Sequence, residues 1–461
     1  MTGWLPHRAW LAQTVVCALL LVAARATAAQ SQDELFDDGR LHDLFLTVSS
    51  RDWEALRANA DDDTYYTADL RWNGLTLRNV GIRSRGTGSR NGVKPGLRVD
   101  MNRYIDQTFL GLRALVLDNS YTDPSALREL LAMKTFARAG LPAPREAYAR
   151  LFVNNEYAGL YAIVEPIDRT FVTRVFGAAE GNIEAGGYLY EYTWIREYGF
   201  DYLGPSLETY AEIFAPRTRE TDAVSRLYQP LEMLARAIND TPPDQFETTV
   251  GALLDLPAIV KFLAVQRVSG EIDGFIGNWG MNNFYLYRFR DGSPARLLPW
   301  DADHSFWALD EPVDHRLDTN VLVRRVMEIP ALRRLYLETL VSTARAITEA
   351  AAGDGPGWLE REAERLAALI APAVAADPVS PFPFAEFEGN VLGLRGLLRT
   401  RPAYIECAAR ALLDVDAPQS CPLPSPVEIP AASPLTANTG EVERAMSGPP
   451  SESPSEPPSD R

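Results

Sequence analysis

The stretch at positions 273–303 reads DGFIGNWGMNNFYLYRFRDGSPARLLPWDAD and contains two apolar segments among acidic and amide side chains. The segments 283–289 and 296–299 flank Asp291-Gly292, a dipeptide that favours a tight turn between two strands. We therefore predict a β-hairpin that is followed directly by Asp301 and Asp303. A carboxylate just after a strand is well placed to hold Mg²⁺, which prefers hard oxygen ligands.

Asp273 and Asn278 precede this hairpin with four residues between them. The same spacing occurs in the catalytic loop of kinases, where the Asp accepts a hydroxyl proton and the Asn binds a metal. Asp and Asn also cap turns, and their spacing alone leaves that structural role open. The histidines His304 and His315 share no helical or strand spacing, so we expect them to be surface or core residues.

The first part of the chain is predicted to form a mostly antiparallel sheet, and later segments are predicted to be helical. The dipeptides Asn73-Gly74 and Asn154-Asn155 mark hairpin turns, and Asp123-Pro124 predicts the start of a helix. We expect strands at 44–48, 65–72, 75–77, 80–83, 97–100, 114–117, 148–153 and 159–164, and helices at 52–59, 223–238, 256–268 and 358–375. The fold class is therefore α+β, with a sheet-rich N-terminal lobe and a mainly helical C-terminal lobe.

A loop rich in Gly and Arg follows one of the predicted strands, at positions 81–90 with the sequence GIRSRGTGSR. Small residues allow backbone N–H groups to approach a phosphate, and Arg83, Arg85 and Arg90 add positive charge. An ordinary flexible hairpin would have the same composition. Lys94 comes next, and Glu129 on the following helix could pair with it, as a strand lysine and a helix glutamate pair in kinases.

The charge balance restricts the possible ligands. The 461 residues include 45 basic and 62 acidic side chains, which gives a net charge of −17. Such an excess of acid excludes broad non-specific binding to nucleic acid, which needs clustered positive charge. The hydrophobic content of 46% is enough for a sizeable core and excludes a wholly disordered chain.

The two ends of the chain differ in composition from the body. Residues 1–28 have the charged, apolar and small-residue regions of a secretory signal peptide, and Pro, Ser and Glu dominate residues 423–461. We expect an N-terminal lobe at 29–165, a C-terminal lobe with the catalytic segment at 166–422, a disordered tail, and no membrane span in the mature protein. Cys407 and Cys421 could form a disulfide after export or remain free thiols.

Together these motifs resemble the spore-coat protein H family, often called CotH kinases, over about positions 35–307. Single pieces are common, but their order along the chain is specific. The motifs are Val80-Gly81-Ile82-Arg83-Ser84-Arg85-Gly86, Leu127-Arg128-Glu129, Val153-Asn154-Asn155-Glu156-Tyr157-Ala158-Gly159, Asn282-Asn283-Phe284-Tyr285 and Pro299-Trp300-Asp301-Ala302-Asp303.

The resemblance implies an atypical, bilobal protein-kinase-like fold and a set of functional residues. Asp273 would be the catalytic Asp, and the metal would be held by Asp301 and by Asn278 or Asn283, with Asp303 in support. The residues implied in nucleotide binding are Arg83, Arg85, Lys94, Glu129 and Glu165.

The resemblance further implies an exported kinase that transfers the γ-phosphate of ATP to Ser or Thr of secreted or surface proteins, with Mg²⁺ or Mn²⁺. Its location would be extracellular, periplasmic or on the cell surface. The family's Lys-Lys-aromatic segment is reduced here to Lys94-Pro95-Gly96-Leu97. The alternative is a binding protein of the cell surface or coat, similar to an adhesin, that keeps the fold without turnover.

Overall fold

The computed structural model describes residues 30–307, 310–351, 355–413 and 420–421. The predicted signal peptide and the predicted tail therefore lie outside the described residues. No helix in the described ranges is long and apolar enough to cross a membrane.

Within residues 30–307, seven strands close into a barrel in the order β1-β2-β3-β4-β5-β7-β6. Neighbouring strands are antiparallel except β1 and β6, whose parallel pairing closes the barrel. Closure satisfies the backbone groups that an open sheet would leave at its edges. The strands are β1 Leu41–Val48, β2 Tyr66–Trp72, β3 Leu75–Ser84, β4 Leu97–Asp100, β5 Ala114–Asp118, β6 Glu146–Val153 and β7 Glu156–Val164.

Local turn chemistry explains how these strands connect. Asn73 and Gly74 both have positive φ, 46° and 82°, as the two-residue turn between β2 and β3 requires. Asn154 and Asn155 do the same between β6 and β7, with φ of 53° and 69°. Both predicted hairpins are confirmed. The two short strands expected at 75–77 and 80–83 are one continuous strand, β3.

Two short helices, α1 Gln32–Leu35 and α2 Ser50–Ala58, accompany the barrel, and α3 Arg128–Arg138 follows β5. The predicted start of α3 at Asp123 and Pro124 is wrong by several residues. The Asp123 carboxylate accepts hydrogen bonds from the backbone N–H groups of Ser125, Leu127 and Arg128, so it organises a turn ahead of the helix. Gly140, with φ of 77°, follows its end as expected.

The C-terminal part is mainly helical and contains a four-stranded sheet in the order β11-β10-β8-β9. The predicted hairpin is confirmed, since Phe284 of β10 pairs with Pro299 of β11 in antiparallel register. The elements are α4 Arg169–Phe176, β8 Tyr188–Tyr192, α5 Leu207–Ile213, β9 Phe214–Pro216, α6 Val224–Asp240, α7 Pro243–Gly251, α8 Leu256–Ser269, β10 Phe284–Arg288, β11 Arg296–Pro299, α9 Val321–Met327, α10 Pro330–Thr348, α11 Trp358–Ala375 and α12 Phe384–Leu413.

Two hydrophobic cores follow from the alternation of side chains along the barrel strands. Leu115 and Leu117 of β5 point into the barrel, whereas Val116 between them belongs to the larger core shared with the C-terminal helices. Ile163 and Val164 of β7 divide in the same way. One face of β5, β7 and β6 is therefore covered by the C-terminal part, which confirms the predicted α+β arrangement.

Cys407 and Cys421 form a disulfide, which settles the alternative that the sequence left open. Cys407 lies near the end of α12, and the bridge joins this helix to Cys421. Disulfides persist mainly in oxidising compartments.

Candidate functional site

The loop after β11 carries two acids to the junction between the barrel and the C-terminal part. Asp301 has a positive φ of 50°, a conformation that Asp tolerates better than most residues. The Trp300 backbone N–H donates to the carbonyl of Asn283 at 3.3 Å, so the loop continues the hairpin register for one residue. The hairpin thus delivers Asp301 and Asp303 to this junction.

Asp301 meets two acids of the barrel part. One carboxylate oxygen from each of Asp118, Glu129 and Asp301 can be chosen so that all three lie within 4.8 Å of one another. Asp118 ends β5, and Glu129 lies in the first turn of α3. Sequence analysis identified Glu129 and Asp301 but missed Asp118, which looked like an ordinary polar residue at the end of a strand.

Glu146, at the start of β6, lies behind this cluster. Only 6% of the residue is exposed, and neither carboxylate oxygen has a hydrogen-bond partner in the described structure. Glu146 pairs with Val164 of β7, and Val164 pairs with Val116 of β5, two residues before Asp118. The alternation of side chains therefore places Glu146 and Asp118 on the same face of the sheet.

Burial and mutual repulsion raise the pKa values of these acids. Burial, then the charge of Asp303, raises the pKa of Asp301 to about 7, against the opposing effect of Arg85. Burial first and Glu146 second hold the pKa of Glu129 well above its usual range. The pKa of Glu146 is also well above its usual range, through burial and the charges of Asp118 and Asp301. A cation would stabilise the ionised form of these three groups.

Arg85 is the basic residue that contacts the cluster directly. Its guanidinium lies 3.4 Å from a carboxylate oxygen of Asp118 and 4.0 Å from one of Asp301, and it covers the Trp300 ring at 5.5 Å. Arg83, two residues earlier, points away and pairs with Asp63 at 2.8 Å. Of the arginines predicted to meet phosphate, Arg85 lies at the site, whereas Arg83 and Arg90 both pair with Asp63.

Asp273 is held by two neighbouring amides. Asn282 donates to both of its carboxylate oxygens at 3.1 Å, and Asn283 donates to one of them and to its carbonyl, also at 3.1 Å. Burial raises the pKa of Asp273, and the hydrogen bond from Asn282 partly offsets that rise. Asn278 is exposed and makes none of these contacts. The two Asn residues that donate to Asp273 come nine and ten residues after it in the chain.

The Asp303 carboxylate forms hydrogen bonds with Thr122 and His304 and not with the acids of the cluster. One of its oxygens accepts from the Thr122 hydroxyl, and the other lies 2.8 Å from Nδ1 of His304. Burial alone would lower the pKa of His304, but the hydrogen bond and charge of Asp303 raise it to about 10. His304 is therefore a cation beside the site.

Glu271 supports the segment that carries Asp273. Its carboxylate accepts from the backbone N–H of Asp273 at 2.8 Å and from the Ser305 hydroxyl at 2.7 Å, so it joins the two loops of the site. Burial raises its pKa to about 8, although both hydrogen bonds oppose the rise. Sequence analysis did not single out this residue.

The stability of the protein should depend on pH through Glu271. Because its pKa is about 8 when folded and near 4.5 when unfolded, the folded state retains a proton that the unfolded state releases. This stabilisation is complete below about pH 4.5 and is lost as the pH rises through 8. Between these two pH values the free energy of unfolding of the wild-type protein should fall by up to about 1.4 kcal/mol per pH unit through this group. We expect the Glu271→Gln variant to lack this fall, because Gln does not titrate. Urea denaturation at pH 5, 6.5 and 8 without metal measures how the free energy of unfolding changes with pH in the wild-type protein and in Glu271→Gln. Equal slopes in the two proteins would contradict this assignment.

Lys94 does not pair with Glu129 as predicted. Its ammonium group lies 2.9 Å from a carboxylate oxygen of Asp377, which follows α11 in the C-terminal part. The same oxygen accepts from the Leu160 backbone N–H at 3.0 Å, and Lys94 is only 6% exposed. Lys94 thus connects the barrel to the helical part, while Glu129 faces Asp118 and Asp301.

The Glu165 carboxylate is also paired with basic side chains. It is fully buried, and its two oxygens accept hydrogen bonds from the guanidinium groups of Arg145 and Arg174. Its backbone N–H donates to the Arg145 carbonyl at 2.9 Å. The Glu165 side chain is therefore engaged by two guanidinium groups, and its part in nucleotide binding stays a prediction.

Arg128 holds the loop of Asp301 and Asp303 from the barrel side. Its fully buried guanidinium pairs with Asp123 at 3.2 Å and donates to the carbonyls of Ser305 and Phe306. The ring of Trp307 lies 4.0 Å from the guanidinium carbon. Arg128 was noted only as part of a motif, and its spacing gave no sign of this contact with residues 177 and 178 positions away.

The barrel, the helical part and the acids at their junction define an α+β protein with a carboxylate-rich site between a sheet-rich and a helical region. The model of the family described as CotH kinase protein matches residues 82–405, and the chain belongs to this family. The chain is also similar to the inner spore coat protein H of Bacillus subtilis (strain 168). The two are 22% identical over 374 residues, which is 79% of this chain and 96% of that protein.

Proposed function

We propose that the protein is an ATP-dependent protein kinase that phosphorylates Ser or Thr of secreted or surface proteins. The observation that carries this proposal is the pairing of a buried, amide-held carboxylate, Asp273, with the acid cluster at Asp301. Glu271 joins the two loops that carry them, because it accepts hydrogen bonds from the Asp273 N–H and the Ser305 hydroxyl. Phosphoryl transfer needs positioned charge more than covalent catalysis, and this junction supplies charges of both signs.

In the proposed reaction Asp273 accepts the proton of the acceptor hydroxyl. The hydroxyl oxygen forms a bond to the γ-phosphorus while the bond from that phosphorus to the oxygen of ADP breaks. Arg85 would contact phosphate oxygens, because its guanidinium carries positive charge beside Asp118 and Asp301. Asn282 and Asn283 would hold the Asp273 carboxylate in place.

A divalent metal fits the residues at this site. Asp301 presents a carboxylate beside those of Asp118 and Glu129, and the unpartnered oxygens of Glu146 lie behind them. Mg²⁺ and Mn²⁺ prefer such oxygen ligands. When bound, the metal would neutralise the negative charge of the phosphates. Asn283 would remain beside Asp273, and Asp303 would support the loop through Thr122 and His304.

Export to the cell surface or a coat is part of the proposal. The relative from Bacillus subtilis is named as an inner spore coat protein, and the disulfide suits an oxidising compartment. The predicted signal peptide at 1–28 agrees with this location.

Incubation of the purified chain with γ-labelled ATP and Mn²⁺ or Mg²⁺ tests the activity. We expect label on the chain itself or on added dephosphorylated casein, and little label with Asp301→Asn because that variant lacks a metal-binding carboxylate. Absence of both label transfer and ATP binding in the folded wild-type protein would overturn the proposal.

A second candidate function is binding without turnover, in a coat or at a surface. The observation that favours it is the ion pair of Lys94 with Asp377, because Lys94 in this position is not directed at a phosphate. Under this alternative Asp273→Asn and Asp301→Asn would keep the biological role of the wild-type protein. Loss of that role in both folded variants would favour catalysis.

A further inference from the structure

A pocket lies beside the loop that carries Asp273, outside the acid cluster. Its volume is about 180 Å³, and it is lined by residues of this loop, of the segment after β8 and of the segment that leads into α9. Pockets for drug-sized ligands and cofactors are larger, at about 300–1,000 Å³. The size of this pocket therefore suits a single side chain of a bound protein segment.

Backbone hydrogen bonds fix the walls of the pocket. The Met281 N–H donates to the Tyr198 carbonyl at 3.1 Å, and the Val321 N–H donates to the Gly199 carbonyl at 2.8 Å. The Asp273 loop and the start of α9 are thus both attached to the segment after β8. A pocket with walls fixed in this way binds its ligand with little cost of ordering.

Asn320 supplies the pocket with an unpaired hydrogen-bond donor. Its side-chain oxygen accepts from the Val323 N–H at 3.2 Å and caps α9, so the other terminal atom is the amide nitrogen Nδ2. Nδ2 is buried without a hydrogen-bond partner among the described residues, and only 3% of Asn320 is exposed. Because a buried donor without an acceptor is costly, this group favours a ligand that brings an oxygen atom.

Two acids also line the pocket. Glu197 pairs with Arg316 at 3.1 Å, whereas Asp201 is exposed and takes part in no ion pair that the structure describes. A primary amide matches the pocket, since its oxygen can accept from Asn320 and its NH₂ group can donate to Asp201. An ammonium group has no acceptor for Nδ2, and a carboxylate would be repelled by Asp201.

We propose that this pocket receives the side chain of a glutamine or asparagine that lies near the phosphorylated Ser or Thr of the acceptor protein. The inference rests on the proposed function, because it places the acceptor segment across the loop of Asp273. The pocket then selects which segments become acceptors, while Asp273 and the acid cluster perform the transfer.

Trp279 gives the same loop a surface for the rest of the acceptor segment. It lies between the lining residues Gly277 and Gly280, is 36% exposed, and its carbonyl accepts from Nε1 of Trp194 at 3.0 Å. An exposed aromatic ring held in place is a common anchor for a bound chain. We expect Trp279→Ala to weaken binding of all acceptor peptides by a similar factor, whatever side chain enters the pocket.

Fluorescence anisotropy with labelled peptides, without nucleotide or metal, tests the inference. Each peptide consists of Gly and Ala around one Ser, with Gln, Asn, Glu, Lys or Leu at one position from three before to three after the Ser. We expect the best Gln or Asn peptide to bind the wild-type protein at least about 10-fold more tightly than its Glu, Lys and Leu counterparts.

Asn320→Asp is the decisive variant. The carboxylate keeps an oxygen for the Val323 N–H, so the cap of α9 is retained, but it removes the donor and adds a negative charge. We expect it to bind the Gln or Asn peptide at least about 10-fold more weakly and the Lys peptide more tightly than the wild-type protein does. Asn278→Asp is the matched control, because it makes the same change at an exposed position of the Asp273 loop that does not line the pocket. Intrinsic fluorescence checks that each variant is folded.

The outcomes separate this inference from the kinase proposal. Preferred binding of the Gln or Asn peptide without phosphate transfer to any peptide would support the pocket and contradict the kinase. Phosphate transfer with equal binding of all five kinds of peptide would overturn the pocket and leave the kinase in place. A preference for Lys in the wild-type protein, the same preference in wild type and folded Asn320→Asp, or no peptide binding at millimolar concentration would also overturn the pocket.

Discussion

An Asp273→Asn variant is expected to transfer phosphate from ATP about 10²- to 10⁴-fold more slowly than the wild-type protein. The amide keeps the size of the side chain but cannot accept the hydroxyl proton. Asn282 and Asn283 would also meet a neutral group in place of the carboxylate that they now hold. Initial rates with labelled ATP at saturating Mn²⁺ measure the effect.

Asn278→Ala is the matched control for this prediction. Asn278 has the kinase-like spacing from Asp273 but is exposed and does not contact it. We expect its variant to stay within twofold of the wild-type rate. An Asp273→Asn protein with the full rate would show that this carboxylate is not the proton acceptor.

Arg128→Met is expected to lower the free energy of unfolding by about 3–5 kcal/mol, as removal of one partner from a buried ion pair typically does. The change leaves Asp123 without its guanidinium and removes the donors to the Ser305 and Phe306 carbonyls. Arg128→Lys should not restore stability, because one ammonium group cannot span the carboxylate and both carbonyls. Urea denaturation measures the loss.

Arg334→Met provides the comparison for Arg128. Arg334 is a largely exposed residue on α10 that pairs with Glu338, and such pairs contribute less than about 1 kcal/mol. A loss of similar size in both variants would mean that the contacts of Arg128 with the Asp301 loop add nothing specific.

The sequence predicted those features that depend on neighbouring residues. The turns at Asn73-Gly74 and Asn154-Asn155 need positive φ, which Asn and Gly adopt readily, so the hairpins on either side could be located. Helix α11 was predicted with its observed ends, because its apolar spacing and its flanking residues agree.

Features that depend on distant residues could not be predicted. The barrel closes through parallel pairing of β1 with β6, for which no local signal exists. Asp118 and Glu146 are single acids on strands, and only the alignment of β5, β7 and β6 brings them to Glu129. The start of α3 was misplaced because Asp123 and Pro124 also suit the turn that precedes a helix.

The ion pair of Lys94 with Asp377 has a consequence for the order of folding. The two residues are 283 positions apart. Because synthesis starts at the N-terminus, all the barrel strands are made long before Asp377, the partner of Lys94. Until residue 377 arrives, Lys94 lacks the carboxylate with which it pairs in the folded protein. Contacts of such long range slow folding. The barrel should therefore reach its final stability only after synthesis has passed α11, and an N-terminal fragment that ends at residue 165 should be a poor folding unit.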